Sequence, residues 1–409
     1  MSEQRATGPH LAILGAGPAG LDAALEAAAR GWRFTLYEAA SEPAGQVRSW
    51  GHVRLFSPWP VDVSPRMRRA LGNGSGGGGG VPDGDECPTG RELAETVLDR
   101  VAALPAVAPY LRLETRVLAL GREGLLKHEE IASAERAGRR FRLLVRAPDG
   151  REAIEHADAV LDCTGAMSFP NALGDGGIPA PGEAEAEAAI VRRIPDVAAD
   201  PSPWAGRTTL LVGGGHSAQT AARDLARLAE GHPGTRVIWA LRCREVGWRV
   251  PDDPLPARDR LAEEAEALAR GGSPAVTARL GVVVERLERS GERVTATLRG
   301  PGGGRETVTA DRVLALTGAV GDHLLYRQLQ VHECYASGAP MKLAAALLGA
   351  GGGDCMAQTG HGADTLVNPE PRFFILGAKS YGSNSAYLMR VGWQQVDDAF
   401  GLLADSFQG

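Results

Sequence analysis

An α/β fold with two Rossmann-like halves is what this sequence predicts, and two observations carry the prediction. Leu11-Ala12-Ile13-Leu14 runs into Gly15-Ala16-Gly17-Pro18-Ala19-Gly20 and then an Ala-rich stretch to Arg30. Thr208 to Val212 runs into Gly213-Gly214-Gly215-His216-Ser217-Ala218 and then Gln219 to Ala229. Each is an apolar strand, a G-x-G-x-x-G/A turn and a helix, the setting in which such a turn holds a dinucleotide. The first glycine permits the tight turn, the second lets backbone approach a pyrophosphate, and the third position lets helix and strand pack closely. The helix start adds N–H donors and a partial positive charge. Two such units imply two dinucleotides, and the common reason to hold both is to pass electrons from a nicotinamide to a flavin.

Composition narrows the class. At 409 residues the chain exceeds one ordinary core, so two or three domains are expected. Hydrophobic residues make 44% and charged residues 23%, the balance of a soluble globular protein. A net charge of −6 gives no reason to expect nucleic acid or an anionic membrane as partner. No apolar run reaches the ~18–20 residues of a membrane span, and the polar start Met1-Ser2-Glu3-Gln4-Arg5 is no signal peptide. Five cysteines, odd in number and without a C-x-x-C, fit a reducing cytoplasm with no disulfide framework.

The elements follow in order. Trp32 to Glu38 reads as a second parallel strand ending in an acid eighteen residues beyond Gly20, near the spacing of a carboxylate that bonds an adenosine ribose. A solvated acid at a strand end is the plainer alternative. Gly45 to Pro60, rich in Trp, Arg, His and Pro, has no period of 2 or 3.6 and reads as an ordered loop. Gly72 to Gly80 reads as a flexible excursion. Thr89 caps an amphipathic helix through Val101. Strands are expected over Leu111 to Ala119, Phe141 to Ala147 and Ala159 to Cys163, the last closing on Thr164-Gly165. A crossover over Ser168 to Pro203 leads into the second fingerprint. Arg236 to Leu241 is the strand after it, with Arg242-Cys243-Arg244 just beyond. A helix over Asp259 to Ala269 and strands near 282–287, 294–298 and 313–316 complete that unit, and Thr317-Gly318 repeats the earlier ending. Phe373 to Gly377 and a helix from about Asn384 to Leu403 close the chain.

Together the two fingerprints, Glu38, the two strand–Thr-Gly endings and the final strand–Gly–helix resemble the two-dinucleotide-domain flavoproteins. That group holds thioredoxin reductases and flavin-containing monooxygenases, and the resemblance spans nearly the whole chain. It implies a NADPH-binding domain inserted into an FAD-binding domain: 1–170 and 321–409 for FAD, 171–320 for NADPH. It implies an oxidoreductase with FAD and NAD(P)H as cofactors, which the cysteine usage places in the cytoplasm. Its partners would be a small-molecule substrate and O2, with a homodimer as the compatible assembly. Gly15, Gly17, Pro18, Ala19, Gly20, Glu38, Gly165, Gly377 and Ser385 would serve FAD. Gly213, Gly215, His216 and Ser217 would serve the nicotinamide nucleotide. The helix after Gly377 would turn its N-terminal N–H groups to the flavin end. Two departures stand out. Gly377-Ala378 replaces the group's usual Gly-Asp, with Lys379, Ser380 or the 383–385 cap left to substitute. The F-x-G-x-x-x-H-x-x-x-W/Y signature of flavin monooxygenases also fails between Ile194 and Gly206.

Arg242 and Arg244 stand where an adenine 2′-phosphate would lie, with Arg249 close behind and no acid at the strand end. Guanidinium forks suit a phosphate dianion, so NADPH is expected, a solvated basic turn being the alternative. A disulfide reductase needs two sulfurs in reach; here Cys334 and Cys355 are the nearest pair, and buried core cysteines are the commoner reading. His332, Glu333, Cys334, Asp354, Cys355 and His361 match no zinc spacing, so no metal is expected. The reduced flavin would then serve oxygen or a small molecule directly, as in a divergent monooxygenase acting on an N, S or metalloid centre. A reductase or oxidase acting on a thiol or quinone is the alternative, and a nucleotide sensor without turnover a third. Gln46, Arg48 and Trp59 from the loop and Asn384 from the last helix are the candidate catalytic residues, because they combine donors with flat walls near the first turn.

Overall fold

Alternation of side chains along five short strands builds the first half of the molecule. In the computed structural model, which describes residues 8–72, 80–349 and 360–408, the strand His10–Leu14 sends Leu11 and Ile13 to one face and Ala12 and Leu14 to the other. Strands Ala159–Asp162 and Phe373–Ile375 do the same, so both faces are covered and the strands read as continuous apolar runs. The sheet is parallel, in the order Phe373–Ile375, Ala159–Asp162, His10–Leu14, Arg33–Tyr37, Leu111–Arg112. Helices Pro18–Ala29 and Met389–Gln408 bury Leu21, Ala24, Val396 and Phe400 against one face. A three-stranded antiparallel layer, Arg116–Arg122, Phe141–Arg146 and Glu152–Ala157, covers the other through Leu120, Phe141, Leu143 and Val145.

Contacts divide the chain into Met1–Phe169 with Val320–Gly409, and Pro170–Ala319. The second unit repeats the plan. Its parallel sheet runs Val276–Leu280, Arg236–Leu241, Thr208–Val212, Arg312–Ala315, Ile190–Val191, with antiparallel strands Val283–Ser290, Arg293–Arg299 and Arg305–Ala310. Helices His216–Gly231 and Pro256–Ala269 pack on it.

Four local differences from the sequence reading have physical causes. The expected strand 111–119 breaks at Glu114, whose φ of +49° turns the chain out of the parallel sheet and into the antiparallel layer. Glu152–Ala157 and Arg305–Ala310 hide as strands because they lie at layer edges, where half or more of their residues are exposed and no clean apolar alternation is needed. The ordered loop 45–60 contains a short helix, Gly45–Arg48, and enters another, Trp59–Asp62. The closing helix starts at Met389 rather than near Asn384, because Gly377–Tyr381 forms its own 3-10 turn first. Thr89 caps as expected, in a reciprocal box with Glu92. Most of the glycine-rich stretch 72–80, and Cys355, lie outside the described residues.

Candidate functional site

The first glycine turn divides its labour among three positions. A Cβ at Gly15, where φ is +93°, would stand 2.7 Å from the Cys163 carbonyl oxygen, and one at Gly20 would stand 1.8 Å from the Gly15 oxygen. Both are glycine because the fold leaves no room. A Cβ at Gly17 would meet nothing within 4 Å. Gly17 is also the N-cap of helix Pro18–Ala29 and offers no side chain to the first-turn N–H groups. Open space above uncapped donors is what an anionic pyrophosphate needs. Glu38, at the end of the next strand, accepts from the N–H of Ala16 and of Ala40, both at 2.9 Å, which holds its carboxylate beside the turn.

On the other side of this turn lie the ends of Ala159–Asp162 and Phe373–Ile375. Gly165 has φ +77°, and a Cβ there would strike Gln46 Oε1 at 2.5 Å. Gln46 Nε2 donates to the Thr164 carbonyl at 3.1 Å, so this exposed amide is seated on the Thr-Gly turn. Gly377, also at positive φ, lies with its would-be Cβ 3.1 Å from Ala19 at the start of the first helix. Its N–H is held by Gln395 Oε1 at 2.9 Å, and Gln395 Nε2 donates to Ser380. The structure therefore gathers Gln46, Gly165 and Gly377 along one sheet edge with the first fingerprint.

Other expected residues go elsewhere. Arg48 gives both oxygens of Asp99 a 2.6 Å hydrogen bond and the Pro43 carbonyl another, and Trp59 is buried in the main core. The Arg48 guanidinium is thus held in an ion pair while partly exposed, and the Trp59 ring packs in the core. Asn384 Oδ1 accepts from the Ala386 N–H in an exposed turn, and Ser385 is exposed beside it. Neither stands at a helix start. Ser380 spends its hydroxyl on Gly377, and Lys379 is fully buried in an ion pair with Asp162. Asp162 escaped the sequence reading, although an acid ending an otherwise apolar buried strand demands a partner and is itself a signal. Asp62, buried with one oxygen unpartnered, was also missed; burial pushes it up to about 7 against a single opposing bond from Ser57.

The second turn has the same opening. A Cβ at Gly213 would lie 2.2 Å from the Leu316 oxygen, whereas one at Gly215 would meet nothing, and Gly215 caps helix His216–Gly231 without a side chain. Ser217 is exposed in the first helical turn. His216 is partly buried; desolvation first and Arg258 second hold its imidazole below the usual value. Arg242 and Arg244 are exposed at the end of Arg236–Leu241, and among the described residues neither makes a hydrogen bond or ion pair. Arg249 differs: it grips Asp259 with two 2.9 Å bonds.

The family of proteins described as pyridine nucleotide-disulphide oxidoreductases matches residues 9–336. This chain belongs to that family. It is an oxidoreductase of the FAD- and NAD(P)-binding kind, with the two-dinucleotide-domain α/β architecture. Among solved structures, it is similar to the bacillithiol disulfide reductase Bdr of Bacillus cereus at 20% identity and TM-score 0.68, over 98% of this chain and 100% of that one. Thioredoxin reductase of T. acidophilum matches at 15% identity and TM-score 0.58, over 97% and 98%. The cadaverine monooxygenase DfoA of Erwinia amylovora, solved with FAD, matches at 10% identity and TM-score 0.65, over 98% and 95%. At such identities these likenesses speak to the fold. No curated protein sequence matches. Among the described residues no helix is long and apolar enough to cross a membrane, and no His, Cys, Asp and Glu group is placed to hold a metal.

Proposed function

We propose that this member of the family is an NADPH-using flavin monooxygenase that oxidises a small molecule at a soft N, S or metalloid centre. FAD is held by the unit that begins with Gly15 to Gly20, and NADPH by the unit of Gly213 to Ser217. Glu38 bonds the adenosine ribose of FAD, Gly17 admits its pyrophosphate, and Gln46, Gly165 and Gly377 border the rest. Arg242 and Arg244 hold the 2′-phosphate of NADPH, a role supported by their having no hydrogen bond or ion pair among the described residues. Bound in its unit, FAD would supply hydride acceptance from NADPH and reaction with O2, so that with one proton one oxygen atom would go to the substrate and the other would leave as water.

The observation that carries this reading over a dithiol relay is the state of Cys163. It is the cysteine at the cofactor edge, and burial pushes its thiol far above the ordinary range, the reverse of what a thiolate relay needs. No disulfide joins the described cysteines. A thiol- or disulfide-directed reductase keeps one supporting fact: Ser337, by side chain and backbone, and the Ala336 N–H hold the Cys334 thiol below its usual value. Reduction by NADPH under nitrogen followed by rapid mixing with air, a disulfide or a quinone separates the two. Fast reoxidation by O2, with coupling improved by an amine, thioether or metalloid, is expected. Reoxidation only by the disulfide or the quinone would overturn the proposal.

A further inference from the structure

The Lys379–Asp162 pair is the one buried charge pair at the carboxyl ends of the first unit's parallel strands among the described residues. Both side chains are wholly buried, with Nζ 2.6 Å from Asp162 Oδ2. The ammonium donates its other two hydrogens to Thr164 Oγ1 at 3.0 Å and to the Asp322 carbonyl at 2.8 Å. Asp162 Oδ1 accepts from the Thr164 N–H and hydroxyl, at 3.1 and 2.7 Å. The Tyr326 ring lies 5.0 Å from Nζ. Every polar atom of the pair is satisfied, so both charges are locked in place.

Stability alone does not account for it. The neighbouring residues Val160, Leu161, Phe374 and Ile375 are apolar and buried, and a well-packed apolar pair usually serves a core as well as a buried salt bridge or better. Location supplies the reason. In open parallel sheets ligands lie at the carboxyl ends of the strands. With the adenosine at Glu38 and the pyrophosphate at Gly15 to Gly20, the next strand ends along the same edge are Asp162 and Ile375. That is the side left for the redox-active half of the cofactor.

We infer that Lys379 and Asp162 set the reduction potential of the bound flavin, acting as a pair of fixed, opposed charges. This rests on the FAD assignment proposed above. Reduction adds negative charge to the flavin, so a fixed cation favours it and a fixed anion opposes it. In the pair the two effects largely cancel, and removing either partner unmasks the other.

The test is the two-electron potential of FAD-loaded protein, measured anaerobically against reference dyes. Lys379→Met is expected to disfavour reduction about tenfold, ~30 mV for a two-electron couple. Asp162→Asn is expected to favour it by a similar factor. The double variant and Lys379→Arg should stay within about threefold of wild type at the same pH. If one single variant fails to fold, the other against the double variant decides. Loosened packing would move both singles the same way. Shifts of one sign, or none, with FAD bound overturn this inference alone. Wild-type protein that binds no FAD overturns the assignment beneath it as well.

Discussion

The two glycine turns share a backbone plan and differ in what surrounds it. In the first, Gly20 is compulsory, because any side chain would enter the Gly15 carbonyl; in the second, Ala218 fits the equivalent position fully buried. The first is flanked by Glu38, whose carboxylate is braced by two backbone N–H groups; the second by two exposed arginines that pair with nothing among the described residues. The middle glycines, Gly17 and Gly215, are alike in having empty space where a Cβ would point. The lesson is that glycines within one fingerprint answer to different demands. Some are fixed by the fold, while those facing open space are free to serve a ligand.

That contrast can be broken most sharply at the middle glycines. Gly17→Val should fold with nearly unchanged Tm yet lose FAD on purification, while Gly215→Val should keep FAD and lose reduction by NADPH. Absorbance of the bound flavin with a thermal melt checks both, and full FAD occupancy in Gly17→Val would sink the assignment of the first turn. At the third positions the order reverses. Gly20→Ala should destabilise the fold by at least the ~1–3 kcal/mol of an overpacked core. Ala218→Gly should cost no more than about 1 kcal/mol, the helix-propensity difference. Equal melts in the two variants would remove the distinction.

Smaller effects are expected at the flanks. Replacing Arg242 and Arg244 together by Ala should narrow the preference for NADPH over NADH by roughly 1–3 kcal/mol, the scale of lost charge-assisted bonds. Arg249→Ala should leave that preference alone, because its guanidinium is spent on Asp259. Binding constants from flavin-reduction kinetics decide between these. Away from both turns, Asp62 carries a folded pKa of about 7 against an ordinary 3.8. The native state therefore binds the extra proton between those values, and stability should fall as pH rises through that window. Relative to Asp62→Asn, the wild type should gain ~1–2 kcal/mol on going from pH 8 to pH 5.5, read by denaturant melts. Least of all, Cys334→Ser should leave NADPH-driven flavin reduction and oxygen use intact; lost turnover with FAD retained would promote the thiol chemistry.

Much of this was legible in the chain itself. The strand–turn–helix units announce themselves because backbone sterics at Gly15 and Gly213 and continuous apolar runs are local properties, encoded within about twenty residues. The same locality placed Glu38 after its strand, Thr89 at its cap and the two arginines past Arg236–Leu241. What the sequence alone did not decide is where side chains from distant segments meet. Arg48 and Trp59 carry suitable chemistry, but Asp99 and the core claim them. Lys379 stood open as a replacement ligand until the fold brought it to Asp162, 217 residues away in sequence. The last helix was displaced by a 3-10 turn held through Gln395. Propensity and pattern are short-range, whereas pairing of buried charges, burial of an aromatic and the start of a docked helix are settled by long-range packing. So the class of chemistry was written locally, and the residues free to perform it were chosen by tertiary structure.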